Sequence, residues 1–594
     1  MSKETEPITR TERAPRPARG PAPAQLPPGP VWPGWLRSAR RRLTADHLVA
    51  LLLGLGVLLV HDVPYLLGLS FWLDEGWEAV TTRFPLSQLP AVTSSTPIGW
   101  SALLRLVTVP GTQSGRLLPL AFAGAAVVVA YWLARQLGWP ARSAAVCAGV
   151  LAGVGALLVP AMLIRDDLNQ YTADACLSLA VLALTSRLER DWSRRRLVAL
   201  SVACWGGMLF SDAVTFVGAA AFAALCLTQL ARRSWARLAE SSVAAAVTAV
   251  LMYGIYLTFD ARAVGAGLIN GEHMRYYFIP LNSWHDAWSF VVSRFAGAAP
   301  FFGLGPVWLA VPLVVAGIIT IFRFGRPVTA AAVVLLWPVA LAVNAVRRYP
   351  FLDIRTNTYL FAITAVTAAI GVIGLSLWLP RVTRARAWLP RLGQAGARLA
   401  RVSSWPPRAA GLCPRPLRRR LGRVTIMAAW LACACVLAAA AFAWAARPYV
   451  RTQQIPSQNV AGQTSYVLSH ESANDVIMVD TGSIFGFAYY WPVGRPAQRP
   501  DTSVAQQYEP FFPSQPRIVV ALSGAPAAVE AAVSQAVQQS RSRDCSQIWF
   551  ITAQESPPRQ EAWGEALGHA GLTATPVTAE SGLYLIRMGA AACS

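Results

Sequence analysis

The residues best equipped for chemistry begin at Phe71-Trp72-Leu73-Asp74-Glu75-Gly76-Trp77-Glu78. Two adjacent carboxylates stand there just past an apolar run, between two tryptophans. A carboxylate so placed can take a proton from a hydroxyl group. Simple solvation of the acids, with an interfacial belt of tryptophans, accounts for the same pattern. A second cluster, Arg165-Asp166-Asp167-Leu168-Asn169-Gln170-Tyr171, has Asp174 one turn further on. A third, Glu272-His273-Met274-Arg275-Tyr276-Tyr277, contains a histidine that fits a structural as well as a catalytic role. The fourth is cationic: Arg347, Arg348 and Arg355 surround Tyr349-Pro350-Phe351. A guanidinium matches a phosphate in geometry and charge. It can also simply reach lipid headgroups.

The elements that must hold these groups are set by hydropathy. Of 594 residues, 54% are apolar and 14% charged, against ~25% charged in an ordinary soluble domain. Mean hydropathy is +0.41. A disordered chain and a single water-soluble globule are both excluded. Apolar stretches long enough to cross ~30 Å of hydrocarbon recur along the chain. Spans are predicted near 47–70, 117–135, 143–163, 172–186, 197–211, 213–230, 241–258, 299–322, 327–346, 358–379 and 424–446, about eleven in all. The run 197–230 is divided at Ser211-Asp212, because a charge at mid-membrane is costly. Asp174, at a membrane edge, is expected to need a partner or a water-filled cavity. The run 47–70 has no small-residue cleavage site after it and is expected to stay as an anchor. No self-similarity suggests the repeats of a transporter.

Net charge is +22. Basic chains bind nucleic acid, or they obey the positive-inside rule, and the distribution of arginine decides between these. With the N-terminus cytoplasmic, the inner segments hold +26 of formal charge and everything else −4. Twelve arginines and no acid lie in 380–423 alone, where anionic headgroups are a natural partner. The charge is therefore a topology signal, and no nucleic acid is expected. Arg347, Arg348 and Arg355 break the bias, since they fall on the outer side.

The implied organisation is a disordered basic cytoplasmic tail (1–46), a transmembrane core (47–380) and an Arg-rich cytoplasmic loop (381–423). A last transmembrane helix (424–446) and an extracytoplasmic domain (447–594) follow. Outer loops are predicted at 71–116, 164–171, 259–298 and 347–357. In the last region, strands at Asp475–Asp480, Arg517–Leu522, Ile548–Thr552 and Gly582–Arg587 alternate with helices near 485–490, 526–541 and 560–570. That order describes a small α/β domain. It has neither a GxGxxG sequence nor a P-loop. Most cysteines lie inside apolar runs as small core residues. Cys545 and Cys593 share a polar region where a disulfide is an open alternative.

The order and sidedness of these motifs resemble the GT-C-fold glycosyltransferases, in the branch of protein O-mannosyltransferases, aminoarabinose transferases and arabinofuranosyltransferases. The features that carry the resemblance are Asp74-Glu75 in the first outer loop and a Pro-containing surface helix after Thr96-Pro97. Arg116 at the head of the second span, Tyr171, Tyr349-Pro350-Phe351 before Arg355, and the Tyr489-Tyr490-Trp491 stretch complete it. It covers 47–380 and, more loosely, 447–594. Many members have Glu or Arg just before the second-loop tyrosine, where this chain has Asn169-Gln170.

The resemblance implies an all-α polytopic membrane enzyme with an extracytoplasmic α/β domain. Such an enzyme moves a sugar from a polyprenyl-phosphate donor to an envelope glycan, lipid or protein acceptor. Asp74, assisted by Glu75, takes the role of base. Arg116, Asp166, Asp167, Tyr171, His273, Arg275, Arg347, Arg348 and Arg355 are candidates for substrate binding. No cofactor is required; a divalent metal at Asp74 and Asp166 is the less favoured alternative. The rival functions are a transporter or flippase of lipid-linked precursors and a non-catalytic envelope-assembly protein. The multi-pass topology is testable: in a variant lacking free thiols, a cysteine replacing Ala385 is expected to react with an impermeant reagent only from the cytoplasmic side. Labelling from outside would overturn it.

Overall fold

The computed structural model describes residues 45–93, 96–163, 168–260, 275–298, 307–382, 430–444, 459–492, 497–498, 510–512, 514–521, 523–553 and 557–588. Residues 45–594 form one compact unit, and the tail Met1–Thr44 lies outside the described residues. Most of the Arg-rich loop 381–423 lies outside them too.

The helices, in chain order, begin with α1 (Ala45–Leu55), α2 (Leu73–Thr81), α3 (Ile98–Val107), α4 (Leu117–Arg135), α5 (Arg142–Leu163), α6 (Tyr171–Arg190) and α7 (Arg194–Met208). They continue with α8 (Ala213–Ala231), α9 (Trp235–Ile255), α10 (Trp284–Ala298), α11 (Val307–Arg323), α12 (Pro327–Ala345) and α13 (Thr358–Val382). A short apolar helix, α14, runs over Trp430–Trp444. Among the described residues, six helical stretches are long and apolar enough to cross a membrane, and four more apolar helices are shorter. Nineteen residues in α8 correspond to roughly 28 Å at 1.5 Å per residue, the thickness of the hydrocarbon layer.

The run 47–70 departs from the single predicted span. It breaks after Leu55 and again at His61-Asp62. The second break has a local cause: the Asp62 side chain caps a new turn at Tyr65 N, and Pro64 lacks the N–H a continuous helix needs there. The run 197–230 divides where predicted, between α7 and α8. Ser211 Oγ accepts a bond from Val214 N at 3.3 Å and donates to Asp174 Oδ1 at 2.6 Å. Asp174 is fully buried and so has the partner that an ionisable group at a membrane edge requires.

The C-terminal region follows the predicted alternation. Its elements are α15 (Val460–His470), β1 (Val476–Val479), α16 (Ile484–Tyr490), β2 (Ala497–Gln498), β3 (Pro510–Phe511), β4 (Ile518–Val520), α17 (Pro526–Arg541), β5 (Ile548–Ile551), α18 (Pro557–His569), β6 (Thr573–Pro576) and β7 (Leu583–Arg587). The main sheet has order β4-β1-β5-β7-β6. The β1–β4 and β1–β5 pairs are parallel, whereas β7 is antiparallel to β5 and β6. Strand β1 is buried along its whole length, as a strand covered on both faces must be. Strand β6 was not predicted: Thr-Ala-Thr-Pro is short, mostly exposed and an edge, so it carries little periodic signal. Cys545 is disulfide-bonded. Cys593, left open as its partner by the sequence, lies outside the described residues.

The described residues of the segment 71–116 are folded and serve as a seat for this domain. One apolar cluster joins Phe71, Val80, Trp100 and Leu104 to Ile477, Phe487, Tyr489 and Trp491. The Trp77 and Phe485 rings stack at 5.2 Å. Tyr490 Oη accepts from Phe71 N at 2.9 Å, and Tyr489 Oη donates to Thr112 O at 2.6 Å. Arg83 donates to the carbonyls of Ala488 (2.6 Å) and Trp491 at the end of α16.

Helices α2 and α16 touch at two glycines. A Cβ on Gly76 would lie 2.8 Å from Gly486 N, a backbone atom that cannot rotate away. Gly76→Val is therefore expected to destabilise the docked domain by about 1–3 kcal/mol, the usual cost of overpacking. Thermal unfolding and protease resistance of the C-terminal region measure it; unchanged resistance contradicts the close contact.

Candidate active site

Helix α2 carries Asp74, Glu75 and Glu78, and its turns send them to different partners. Asp74 and Glu75 lie in its first turn, where the unpaired N–H groups of a helix start favour negative charge.

Glu75 is completely buried. Arg116, itself 2% exposed, meets it with both edges of the carboxylate. Nε donates to Oε1 at 2.8 Å and Nη2 to Oε2. The same guanidinium donates to the carbonyls of Leu66, Leu69 (2.6 Å) and Ser70 (3.3 Å), and its carbon stands 4.8 Å from the Phe71 ring centroid. Arg116 thus closes the segment 66–75 on itself. Glu78, also buried, accepts from Thr96 Oγ1 at 2.7 Å.

Asp74 is different. It is 34% exposed and forms an ion pair with Arg355, equally exposed, at 2.6 Å. The Arg355 guanidinium lies 5.2 Å from the Trp72 ring centroid. A carboxylate able to take a proton and a cation able to hold an anion are thus adjacent, although 281 positions separate them in the chain.

The loop bearing Arg355 is held from below. Asn344, fully buried in the last turn of α12, donates to the carbonyls of Tyr277 (2.7 Å) and Tyr349 (3.0 Å) and accepts from Ile279 N (2.9 Å). Tyr349 Oη donates to Thr356 O at 2.8 Å, and Asn357 donates to Pro350 O at 2.9 Å. Asp353 is buried and accepts from Thr356 N at 3.0 Å. Tyr277, beneath the Arg294 guanidinium at 4.3 Å, has its phenol pKa raised first by burial and then by the charge of Asp353, with Arg294 and Arg355 opposing. Burial lifts the Tyr349 phenol well above its ordinary range. Both phenols remain protonated donors at neutral pH.

Among the predicted residues, the structure brings Asp74 and Arg355 together and pairs Glu75 with Arg116 away from solvent. Arg116, expected to bind substrate, has its donors committed to Glu75 and to backbone carbonyls. Glu75 was expected to assist Asp74; the structure turns it into the protein. Arg347 and Arg348 are exposed near this loop, with Arg347 at φ 55°. Tyr171 starts α6, near Tyr349. Asp166, Asp167, His273 and the side chain of Arg275 lie outside the described residues. The sequence reading missed Asn344 and Asp353, and it quoted Tyr277 without giving it a role. Asn344 had a signal, an amide in an apolar span; Asp353 had none apart from proximity to the arginines. Among the described residues, no group of three His, Cys, Asp or Glu side chains is placed to hold a metal ion.

No protein-family model and no curated protein matches the chain. Among solved structures, the chain is similar to ArnT from Cupriavidus metallidurans bound to undecaprenyl phosphate. The TM-score is 0.49 at 16% identity, covering 93% of this chain and all of that one. The apo state of that protein gives a TM-score of 0.46 at 14% identity, with 93% and 99% covered. The archaeal oligosaccharyltransferase AglB from Archaeoglobus fulgidus, in complex with an inhibitory peptide and a dolichol-phosphate, gives 0.39 at 13%, with 94% and 75% covered. At these values the likeness is one of chain course alone.

The two ion pairs are expected to respond to truncation by very different amounts. Arg116→Ala leaves the Glu75 charge buried and unpaired, a loss of roughly 3–5 kcal/mol. Arg355→Ala opens a partly solvated pair worth about 1 kcal/mol or less. Denaturant unfolding of both variants tests this; equal losses would contradict the assignment of Glu75–Arg116 as the structural pair.

Proposed function

We propose that the protein is a multi-pass membrane glycosyltransferase that moves a sugar from a polyprenyl-phosphate donor to an envelope glycan, lipid or protein acceptor. The reaction takes place on the extracytoplasmic face. The observation that carries this reading is the partly exposed Asp74–Arg355 pair, where a proton acceptor and a cation suited to phosphate stand side by side.

Asp74 Oδ takes the proton of the acceptor hydroxyl as its oxygen bonds to the anomeric carbon. The bond from that carbon to the donor phosphate oxygen breaks, and its electron pair leaves with the phosphate. That group gains negative charge without gaining a proton, so a fixed cation lowers the barrier. Arg355 supplies it, with Arg347 and Arg348 exposed nearby. A phosphate that draws Arg355 toward itself breaks the Asp74–Arg355 pair, so donor binding leaves the Asp74 carboxylate open to the acceptor hydroxyl. Glu75 and Arg116 serve as the frame that fixes α2.

A cytoplasmic N-terminus and an extracytoplasmic C-terminal domain are part of the same proposal. The arginine asymmetry supports them. The disulfide at Cys545 also supports an oxidising compartment for that domain.

Asp74→Asn is expected to lower turnover with a polyprenyl-phosphate sugar by about two to four orders of magnitude, with little change in donor affinity. Arg355→Ala is expected to raise the donor KM more than the acceptor KM. Initial rates on a panel of lipid-linked sugars read both effects, and an Asp74→Asn variant as fast as the parent sinks the mechanism.

A further inference from the structure

The main sheet of the C-terminal domain has two unlike faces. Trp549, Ile551 and Leu583 belong to the face whose apolar cluster includes Phe71 and Trp100. Ile548, Phe550 and Ile586 belong to the other, where Val529 and Val533 of α17 and Ala562 and Trp563 of α18 pack. A helix is about 10 Å across and strands lie about 4.8 Å apart, so one helix covers roughly two strands. Two helices cannot cover a sheet of five. The uncovered part is a pocket of about 230 Å³ between α18 and strands β5, β7 and β6. Phe550, Tyr584 and Ala574 form its floor. The register sets Tyr584 beside Phe550 and Ala574 beside Ile586, so all three share one sheet face. Its wall is the side of α18 that carries Gln560, Trp563, Gly564 and Leu567. Gly564 keeps the wall open, since a Cβ there would meet nothing within 4 Å. Thr552 and Arg559 complete the lining. We infer that this pocket binds one pyranose ring of a neutral saccharide, at a site separate from Asp74 and Arg355. The inference concerns the C-terminal domain alone and does not rest on the transfer reaction proposed above.

Three observations lead to that ligand. First, the aromatic lining is continuous: the Phe550 ring lies 4.4 Å from that of Trp563 and 6.0 Å from that of Tyr584. Trp563 Nε1 donates to the buried Asp480 at 3.1 Å, which fixes its ring. A pyranose has a face of C–H groups that matches such a surface, and hydroxyls at its edge that need a few placed polar partners. Second, those partners gather at one end. Thr552 follows β5, and Arg559 and Gln560 stand in the first turn of α18. Arg559 lies against the turn after β4, where a Cβ on Gly524 would be 3.0 Å from its Nε. Leu567 and Ala574 lie toward the other end. Open α/β sheets bind ligands at the carboxyl ends of parallel strands, where the strand order reverses. Here that reversal is at β1, between β4 and β5. Third, size and charge suit one neutral ring. The volume equals that of about eight water molecules. Arg559 is the one charged side chain among the described residues lining the pocket, and its charge reaches the buried Asp480 behind Trp563. A cation so balanced still donates hydrogen bonds to hydroxyls.

The test is saturation-transfer NMR on the full-length protein in nanodiscs, with the methyl pyranosides of glucose, galactose and mannose and with glucuronate. At least one neutral pyranoside is expected to bind, with the strongest transfer to its ring C–H protons. Gly564→Leu fills the pocket from a position with open space around it, and leucine is the better helix former. It is expected to weaken binding by about tenfold or more without loss of thermal stability. Gly568→Leu, one turn further along α18 and outside the pocket, should leave binding unchanged. Arg355→Ala should leave it unchanged too. Binding of none of the three pyranosides overturns the inference, as does binding that survives Gly564→Leu. Binding of glucuronate in place of the neutral sugars overturns the charge assignment and with it the inference. Binding lost in Arg355→Ala but kept in Gly564→Leu assigns the sugar to the Asp74–Arg355 site and overturns the pocket alone. Pyranoside binding that depends on Gly564 in a protein without transferase activity supports the pocket and removes the proposed reaction, so the two failures are distinct.

Discussion

The arrangement of the groups around α2 depends on one buried ion pair. Arg116 and Glu75 are both removed from water, a state in which either charge alone costs several kcal/mol. The pair is sustained because the geometry is bidentate and the remaining guanidinium donors reach the carbonyls of Leu66, Leu69 and Ser70. Those carbonyls belong to the broken helical segment after α1, and Arg116 stands at the start of α4. One side chain therefore ties the end of the first apolar segment, the start of α2 and the head of the second membrane helix to a common point.

With Glu75 held inward, the rest of α2 has little rotational freedom. Successive side chains on a helix are about 100° apart. Asp74 is turned toward Arg355, Glu78 toward Thr96, and Gly76 and Trp77 toward the C-terminal domain. Two neighbouring carboxylates acquire separate roles from their surroundings: one is sequestered with its cation, the other stays partly exposed to solvent. The domain pressed against α2 and α3 through Tyr489, Tyr490 and Trp491 makes the loop a rigid platform. The Arg355 loop is fixed independently, through Asn344 and Tyr349. The site is the place where two separately anchored segments meet.

Much of this was legible in the primary structure. Hydropathy and arginine placement marked the apolar helices, the division at Ser211-Asp212 and the alternating strands and helices after residue 475. Those features depend on local periodicity and on the cost of placing charge in hydrocarbon, and both are properties of short windows. The break in 47–70 was less visible, because it comes from a single capping aspartate and one proline inside a run that is otherwise apolar. Strand β6 is an edge that exists only because β7 offers it a partner.

Residue type and order alone indicated a multi-pass membrane protein whose arginines concentrate in alternate segments between the apolar runs. They also showed acids and arginines clustered in the remaining segments, at Asp74-Glu75 and at Arg347, Arg348 and Arg355. They could not separate Asp74 from Glu75, which are adjacent, both acidic and both at a helix start. Only the tertiary structure decided that Arg116 takes Glu75 and that Arg355 takes Asp74. The reason is physical: a carboxylate's role follows from how much water it keeps and which cation reaches it. Both are set by chain segments 41 and 281 residues away.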